Sequence, residues 1–155
     1  MKPLYIFDID GTIARIDHRR HLVDGANDDA HKWRKFYAAC DKDIPNTPVI
    51  NTMEHIRRSG GEIWFFSGRS DEVRDKTIAW LADNTSFGPN DLDVVLMMRR
   101  EGDFTADDVL KRQWFDGMLI EDQKRLVAVF DDRDRVVAMW RSVGVACFQV
   151  APGDF

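Results

Sequence analysis

The chain is predicted to fold as a single α/β domain over residues 1–155, with a central parallel sheet of about five strands and helices on both faces. Three observations predict it. Short apolar runs alternate with helical patterns from end to end. Those runs are apolar throughout instead of alternating with polar residues, as in strands covered on both faces. The 155 residues, 44% hydrophobic and 11% aromatic, suffice for one sizeable core.

The elements follow in order. Leu4-Tyr5-Ile6-Phe7 is a buried strand that runs into the turn Asp8-Ile9-Asp10-Gly11-Thr12. Residues 13–48 form a small, polar, mixed insertion with a short helix expected at Trp33 to Cys40, and a long insertion at this point is more often functional than idle. Val49, Ile50, Met53 and Ile56 stand at helical spacing before the stop at Gly60-Gly61. Ile63 to Phe66 is a second strand, ending at Ser67-Gly68-Arg69. Ser70 can cap a helix carrying Val73, Ile78, Trp80 and Leu81. Val94 to Met98 reads as a third strand. A helix is expected from Thr105, with Val109, Leu110, Trp114 and Phe115 on its apolar side. Leu126 to Phe130 is a fourth strand, ending at Asp131-Asp132-Arg133. A last helix holds Val136, Val137, Met139, Trp140 and Val143, stops at Gly144, and leads to a strand over Val145 to Val150.

Three of the strands end in polar residues at the edge where open parallel sheets bind ligands. They contribute Asp8 with Asp10, Ser67 with Arg69, and Asp131 with Asp132. Cleavage of a phosphate ester needs a nucleophile, an acid for the leaving oxygen and positive charge on the phosphoryl oxygens. Asp8 can attack. Asp10, two residues on, can protonate the leaving oxygen and then activate water. Gly11 lets the backbone turn tightly. Crowded carboxylates require a cation, and hard oxygen ligands suit Mg²⁺, joining Asp8, the phosphate and one of the Asp131/Asp132 pair. Ser67 can donate to a phosphoryl oxygen, and Lys111 is the best placed lysine. Thr12, Gly68, Arg69 and Arg99 are the candidate substrate-binding positions. A calcium loop is excluded, since its closing glutamate would fall near residue 19, which is Arg19.

In this order, Asp8-Ile9-Asp10-Gly11-Thr12, Ser67, Lys111 and Asp131-Asp132 resemble the four motifs of the haloacid dehalogenase-like (HAD) phosphatases. Phe66 to Arg69, Arg99 to Lys111, Val129 to Arg133, Val136 to Arg141 and the tail from Cys147 to Phe155 are similar to the 3′-phosphatase domain of bacteriophage polynucleotide kinase. The similarity is thin over residues 16–48. It implies a Rossmann-like, HAD-type domain without a large cap. It also implies Asp8 as nucleophile and metal ligand, and Asp10 as acid/base with its main-chain carbonyl on the metal. Ser67, Arg69 and Lys111 would hold the phosphate, and Asp132 would be a metal ligand supported by Asp131. No Gly-x-x-x-x-Gly-Lys-Ser/Thr occurs, so no kinase half is expected in this chain.

Twenty-two basic against 27 acidic residues give a formal charge of −5, which argues against a pervasive nucleic-acid-coating surface but leaves room for a basic mouth. Cys40 and Cys147 show neither metal spacing nor a disulfide framework. No leader pattern or long apolar run is present, so a cytoplasmic protein with no membrane association and no obligate protein partner is expected. The substrate is expected to be phosphorylated, with a 3′-phosphate nucleic-acid end as the leading reading. A phosphatase of nucleoside monophosphates or another small metabolite is the alternative, and a non-catalytic phosphate-binding module is a third. Arg69, with Arg19 or Arg20 and Arg99, could contact neighbouring phosphates; for Arg99 and Arg100 a merely charged loop is an equal reading. Trp33, Phe36 and Tyr37 either roof the site or pack the insertion onto the body.

Overall fold

The computed structural model describes residues 1–155. In chain order the elements are β1 (Leu4–Phe7), β2 (Ala14–Arg15), α1 (Ala30–Ala38), β3 (Ile44–Pro45), α2 (Thr47–Arg58), β4 (Glu62–Ser70) and α3 (Arg74–Asn84). Then follow α4 (Pro89–Val95), β5 (Leu96–Arg99), α5 (Asp107–Asp116), α6 (Ile120–Arg125), β6 (Leu126–Asp131), α7 (Asp134–Ser142) and β7 (Cys147–Gln149). Five strands form one parallel sheet in the order β5-β4-β1-β6-β7. The chain steps from β1 to β4 and β5 on one side, then returns to β6 and β7 on the other. The carboxyl ends of β1 and β6 therefore flank the point where the order reverses, which is where such sheets open a crevice.

Alternate residues of the central strands serve opposite faces. Phe7 and Phe65, paired in register, enter the larger core with Ile9, Trp80, Leu81 and Phe36. Ile6 and Phe66 enter the second core with Val129, Val136, Val137 and Trp140. This explains the uninterrupted apolar runs. The insertion is closed at its neck by the antiparallel pair β2–β3, and the Asn46 side chain donates to the Thr12 carbonyl at 2.8 Å. Phe36, Tyr37 and Ile16 of the insertion are part of the larger core. No helix is long and apolar enough to cross a membrane.

Four expectations need correction. Val94 and Val95 are the last turn of α4, not the start of a strand, and Val94 is exposed. Pro89 at the first helical positions after Gly88 starts that helix, a signal that the apolar run concealed. Helix α6 had no apolar periodicity to announce it. β4 continues past Phe66 to Ser70, with a register shift between Ser67 and Ser70. Such irregularities re-aim side chains beside active sites. The final strand is shorter than expected, Cys147–Gln149.

Trp140 is fully buried among Phe66, Phe115 and Val136, yet its indole N–H has no hydrogen-bond partner. Trp140→Ala is expected to cost about 3–5 kcal/mol of unfolding free energy by cavity formation. Trp140→Phe, which also removes the orphan donor, is expected to cost less than about 1.5 kcal/mol. Urea denaturation of the two variants checks this, and equal losses would contradict it.

Candidate active site

The turn after β1 is built around one carbonyl. Ile9 C=O accepts from the amides of Thr12, Ile13 and Ala14 at 3.0–3.1 Å, and Gly11 takes φ +81°. A Cβ on Gly11 would lie 2.1 Å from Asp132 Oδ2, so only glycine lets the two loops meet. Asp8, buried, is gripped by both oxygens. Lys111 Nζ donates to Oδ1 at 2.8 Å, and the Thr12 hydroxyl donates to Oδ2 at 3.1 Å. Lys111 also donates to Asp131 Oδ2 at 2.7 Å. The other oxygen of Asp131 accepts from the amides of Asp132 and Arg133 and so shapes the turn after β6.

Asp132 is different: it is buried, and its carboxylate accepts no hydrogen bond from the protein. Oxygens of Asp8, Asp131 and Asp132 lie within 4.8 Å of one another. Three carboxylates face a single lysine charge. Burial, then the Asp131 charge, pushes Asp8 well above the ordinary carboxylate range despite Lys111. The same two causes raise Asp132 to about 7. Burial disfavours the Lys111 ammonium, but the Asp131 and Asp8 charges more than offset this and raise its pKa. An uncompensated, unpaired carboxylate beside Asp8 is the chemistry that a hard divalent cation fits.

Asp10 sits in a second cluster. Its Oδ1 accepts from Arg19 at 2.8 Å and from the Arg69 guanidinium. Both arginines also bind Asp43, Arg19 at 2.7 Å through two nitrogens and Arg69 at 3.0 Å. The side chains of Arg19, Arg69 and Asp43 are wholly buried. Burial raises the pKa of Asp10, but the charges of Arg69 and Arg19 outweigh it and leave the carboxyl below its ordinary value.

A cavity of about 100 Å³, open to solvent on one side, covers this edge. Asp8, Asp10, Gly68, Arg69, Lys111, Asp131 and Asp132 line its floor. Trp33, Phe36 and Tyr37 do both things the sequence left open: they line the cavity, and they pack the insertion onto the larger core, Phe36 and Tyr37 within it and Trp33 against it. Thr12 and Ser67 lie behind the floor, fully buried. Ser67 Oγ accepts from the Arg69 amide at 3.1 Å, and its own proton goes to no protein acceptor.

Arg99 is not where a substrate contact would put it. It lies outside this cavity and donates to the carbonyls of Gly68, Asp103 and Thr105 and to Asp107. It is a strut for the loop before α5. The idea that Arg19 contacts a neighbouring phosphate is corrected on the same ground, since it is fully buried and each of its nitrogens donates inside the protein. Asp43, Asp107 and Arg133 are the residues sequence reasoning missed. Asp107 stands one helical turn before Lys111, a spacing that could have found it; it accepts from Arg133 at 2.7 Å and packs on Gly68, where a Cβ would come within 2.6 Å. Asp43 gave no signal, because its partners Arg19 and Arg69 are 24 and 26 residues away.

A family model described as the polynucleotide kinase PNKP phosphatase domain matches residues 2–155. The chain is similar to one chain of the Pnkp1/Rnl/Hen1 RNA repair complex, at 29% identity and a TM-score of 0.76, over 99% of this chain and 44% of that one. A second Pnkp1/Rnl/Hen1 structure gives 29% and 0.75, over 99% and 48%. The chain thus spans less than half the length of these two. A Clostridium difficile protein provisionally named a phosphatase, at 10% identity and a TM-score of 0.60 over 96% of this chain and 84% of that one, shares the fold.

Asp43→Ala leaves two buried guanidinium groups with one carboxylate between them. The expected loss is about 3–5 kcal/mol of stability, read from urea unfolding, with a loss below about 1 kcal/mol contradicting the central place given to Asp43.

Proposed function

The chain belongs to the HAD-like family of polynucleotide kinase phosphatase domains, and on that premise we propose that it hydrolyses 3′-phosphates at nucleic-acid ends through a phospho-aspartate on Asp8, with Mg²⁺. That it is a phosphatase follows from the family. One observation carries the rest of the reading: Asp8 is held by Lys111 and Thr12 at the carboxyl end of β1, with the unpaired Asp132 carboxylate beside it.

Asp8, Asp132 and the Asp10 main-chain carbonyl would hold Mg²⁺, which when bound supplies positive charge to the phosphoryl oxygens. Asp131, whose Oδ1 accepts from the two amides of the turn after β6 and whose Oδ2 accepts from Lys111, supports that arrangement. An Asp8 oxygen attacks phosphorus, the bond to the 3′ oxygen breaks, and that oxygen leaves with a proton from Asp10. Water then attacks the aspartyl phosphate and gives its proton to Asp10, which releases phosphate and restores Asp8. The free Ser67 proton and the Lys111 ammonium are the donors for phosphoryl oxygens. As it stands, Asp10 is the ionised base of the second half-reaction. The negative charge of a bound phosphate ester raises its pKa toward the acid form needed in the first, and Asp10 Oδ2, which no protein group binds, is the oxygen left to carry the proton.

A second reading has its own support. The insertion supplies Ile16, Arg20, Val23, Trp33, Phe36 and Tyr37 to the cavity wall, and a wall so close over the floor also suits a mononucleotide. Phosphate release from a 3′-phosphorylated oligonucleotide and from 3′- and 5′-mononucleotides, wild type against Asp8→Asn, separates the two. Preference for the oligonucleotide, abolished in Asp8→Asn, is the expected result. Equal or faster release from mononucleotides would move the reading to nucleotide turnover.

The metal has a pH signature. With Asp8 and Asp132 raised, the folded chain binds protons that the unfolded chain releases between the ordinary 3.8 and about 7. Stability without metal therefore falls as pH rises through that window. Mg²⁺ competes with those protons, so it should raise Tm more at about pH 8 than at about pH 5. The depressed Asp10 acts in the opposite direction, but only as pH falls below 3.8. Thermal unfolding with and without Mg²⁺ tests this, and an equal shift at both pH values would count against the Asp8/Asp132 site.

A further inference from the structure

Four cationic side chains line the cavity: Arg20, Arg69, Lys111 and Arg133. Three of them are neutralised within the protein. Arg69 pairs with Asp10 and Asp43, Lys111 with Asp8 and Asp131, and Arg133 with Asp107. Arg20 makes no ion pair and no side-chain hydrogen bond. Its one contact of note is a ring: the guanidinium carbon lies 4.3 Å from the centroid of Phe155. Arg133 approaches the same ring at 4.8 Å.

The place of Phe155 is set by the tail that precedes it. The Asp134 amide donates to the Gly153 carbonyl at 2.7 Å, and a Cβ on Gly153 would stand 1.9 Å from the Asp132 carbonyl oxygen. The segment pressed against the Asp132 turn thus brings an aromatic ring to the cavity, and a guanidinium from the opposite, insertion wall lies over that ring. A guanidinium laid on an aromatic face keeps its N–H donors free at the edge, in the planar fork that matches two phosphate oxygens. Arg20 is exposed whereas Lys111 is buried at the floor, so the two cations stand at different depths of one cavity.

We infer that Arg20 binds the phosphodiester next to the 3′-phosphate being removed, and that Phe155 is the positioning residue that holds its guanidinium. The inference rests on the 3′-phosphatase reading and adds to it the group that distinguishes a polymer end from a nucleoside monophosphate.

The test is the ratio of kcat/KM on thymidine 3′,5′-bisphosphate to that on thymidine 3′-monophosphate, with a 3′-phosphorylated oligothymidylate and p-nitrophenyl phosphate measured alongside. The 5′-phosphate of the bisphosphate stands where the polymer has its phosphodiester. Arg20→Gln should lower the ratio about 10- to 100-fold, the size expected for a lost charged hydrogen bond, mainly through KM. Arg20→Lys should restore part of it, and Phe155→Ala should lower it less than Arg20→Gln does. An unchanged ratio in Arg20→Gln, or an equal loss on all four substrates, overturns the inference while leaving the 3′-phosphatase reading intact. Wild-type turnover of p-nitrophenyl phosphate with none on any 3′-phosphate overturns both.

Discussion

The structure depends on repulsion among buried carboxylates and on the few cations that offset it. Asp8, Asp131 and Asp132 meet at the edge of β1 and β6 around one ammonium, Lys111. Left alone, that arrangement favours protons on the carboxylates or a second cation among them. Two residues along the chain, Asp10 lies between two guanidinium groups and is driven the other way. A turn of three residues therefore holds two carboxyls in opposite environments: a cation beside Asp8 favours its ionised form, and negative charge brought near Asp10 favours its protonated form.

The fold is what makes both environments possible. The reversal of strand order opens a crevice between β1 and β6, and glycines allow the loops to touch there: Gly11 under Asp132, Gly68 under Asp107. The insertion does more than cover the crevice. It carries Arg19 and Asp43, which with Arg69 of β4 form the buried cluster that holds Asp10. Insertion and sheet are thus tied through Asp10 itself, so the wall of the cavity and the acid/base candidate are set together.

Much of this was legible in the residues. The apolar runs ending in Asp8, Ser67 and Asp131-Asp132 marked three strand ends, and the structure brings all of them with Lys111 to one edge. What escaped has physical reasons. The Val94–Val95 pair is equally at home in a helix end or a strand, and the Pro89 start signal was weaker than the apolar run. Arg19 resembles a phosphate contact because arginine commonly is one, yet its partner Asp43 lies 24 residues away, which spacing along one chain does not reveal, while Arg99 is held by the carbonyls of Asp103 and Thr105 just beyond it. Asp43 is the clearest case, a residue of a polar loop that becomes wholly buried only when insertion and sheet meet.

The most direct measurement is acid quenching during turnover of a 3′-³²P-labelled oligonucleotide, followed by peptide mapping. A hydroxylamine-sensitive label on the peptide that contains Asp8, absent from Asp8→Asn, is the predicted result. Release of phosphate at full rate with no label on the protein, or undiminished turnover by Asp8→Asn, would contradict the phospho-aspartate route.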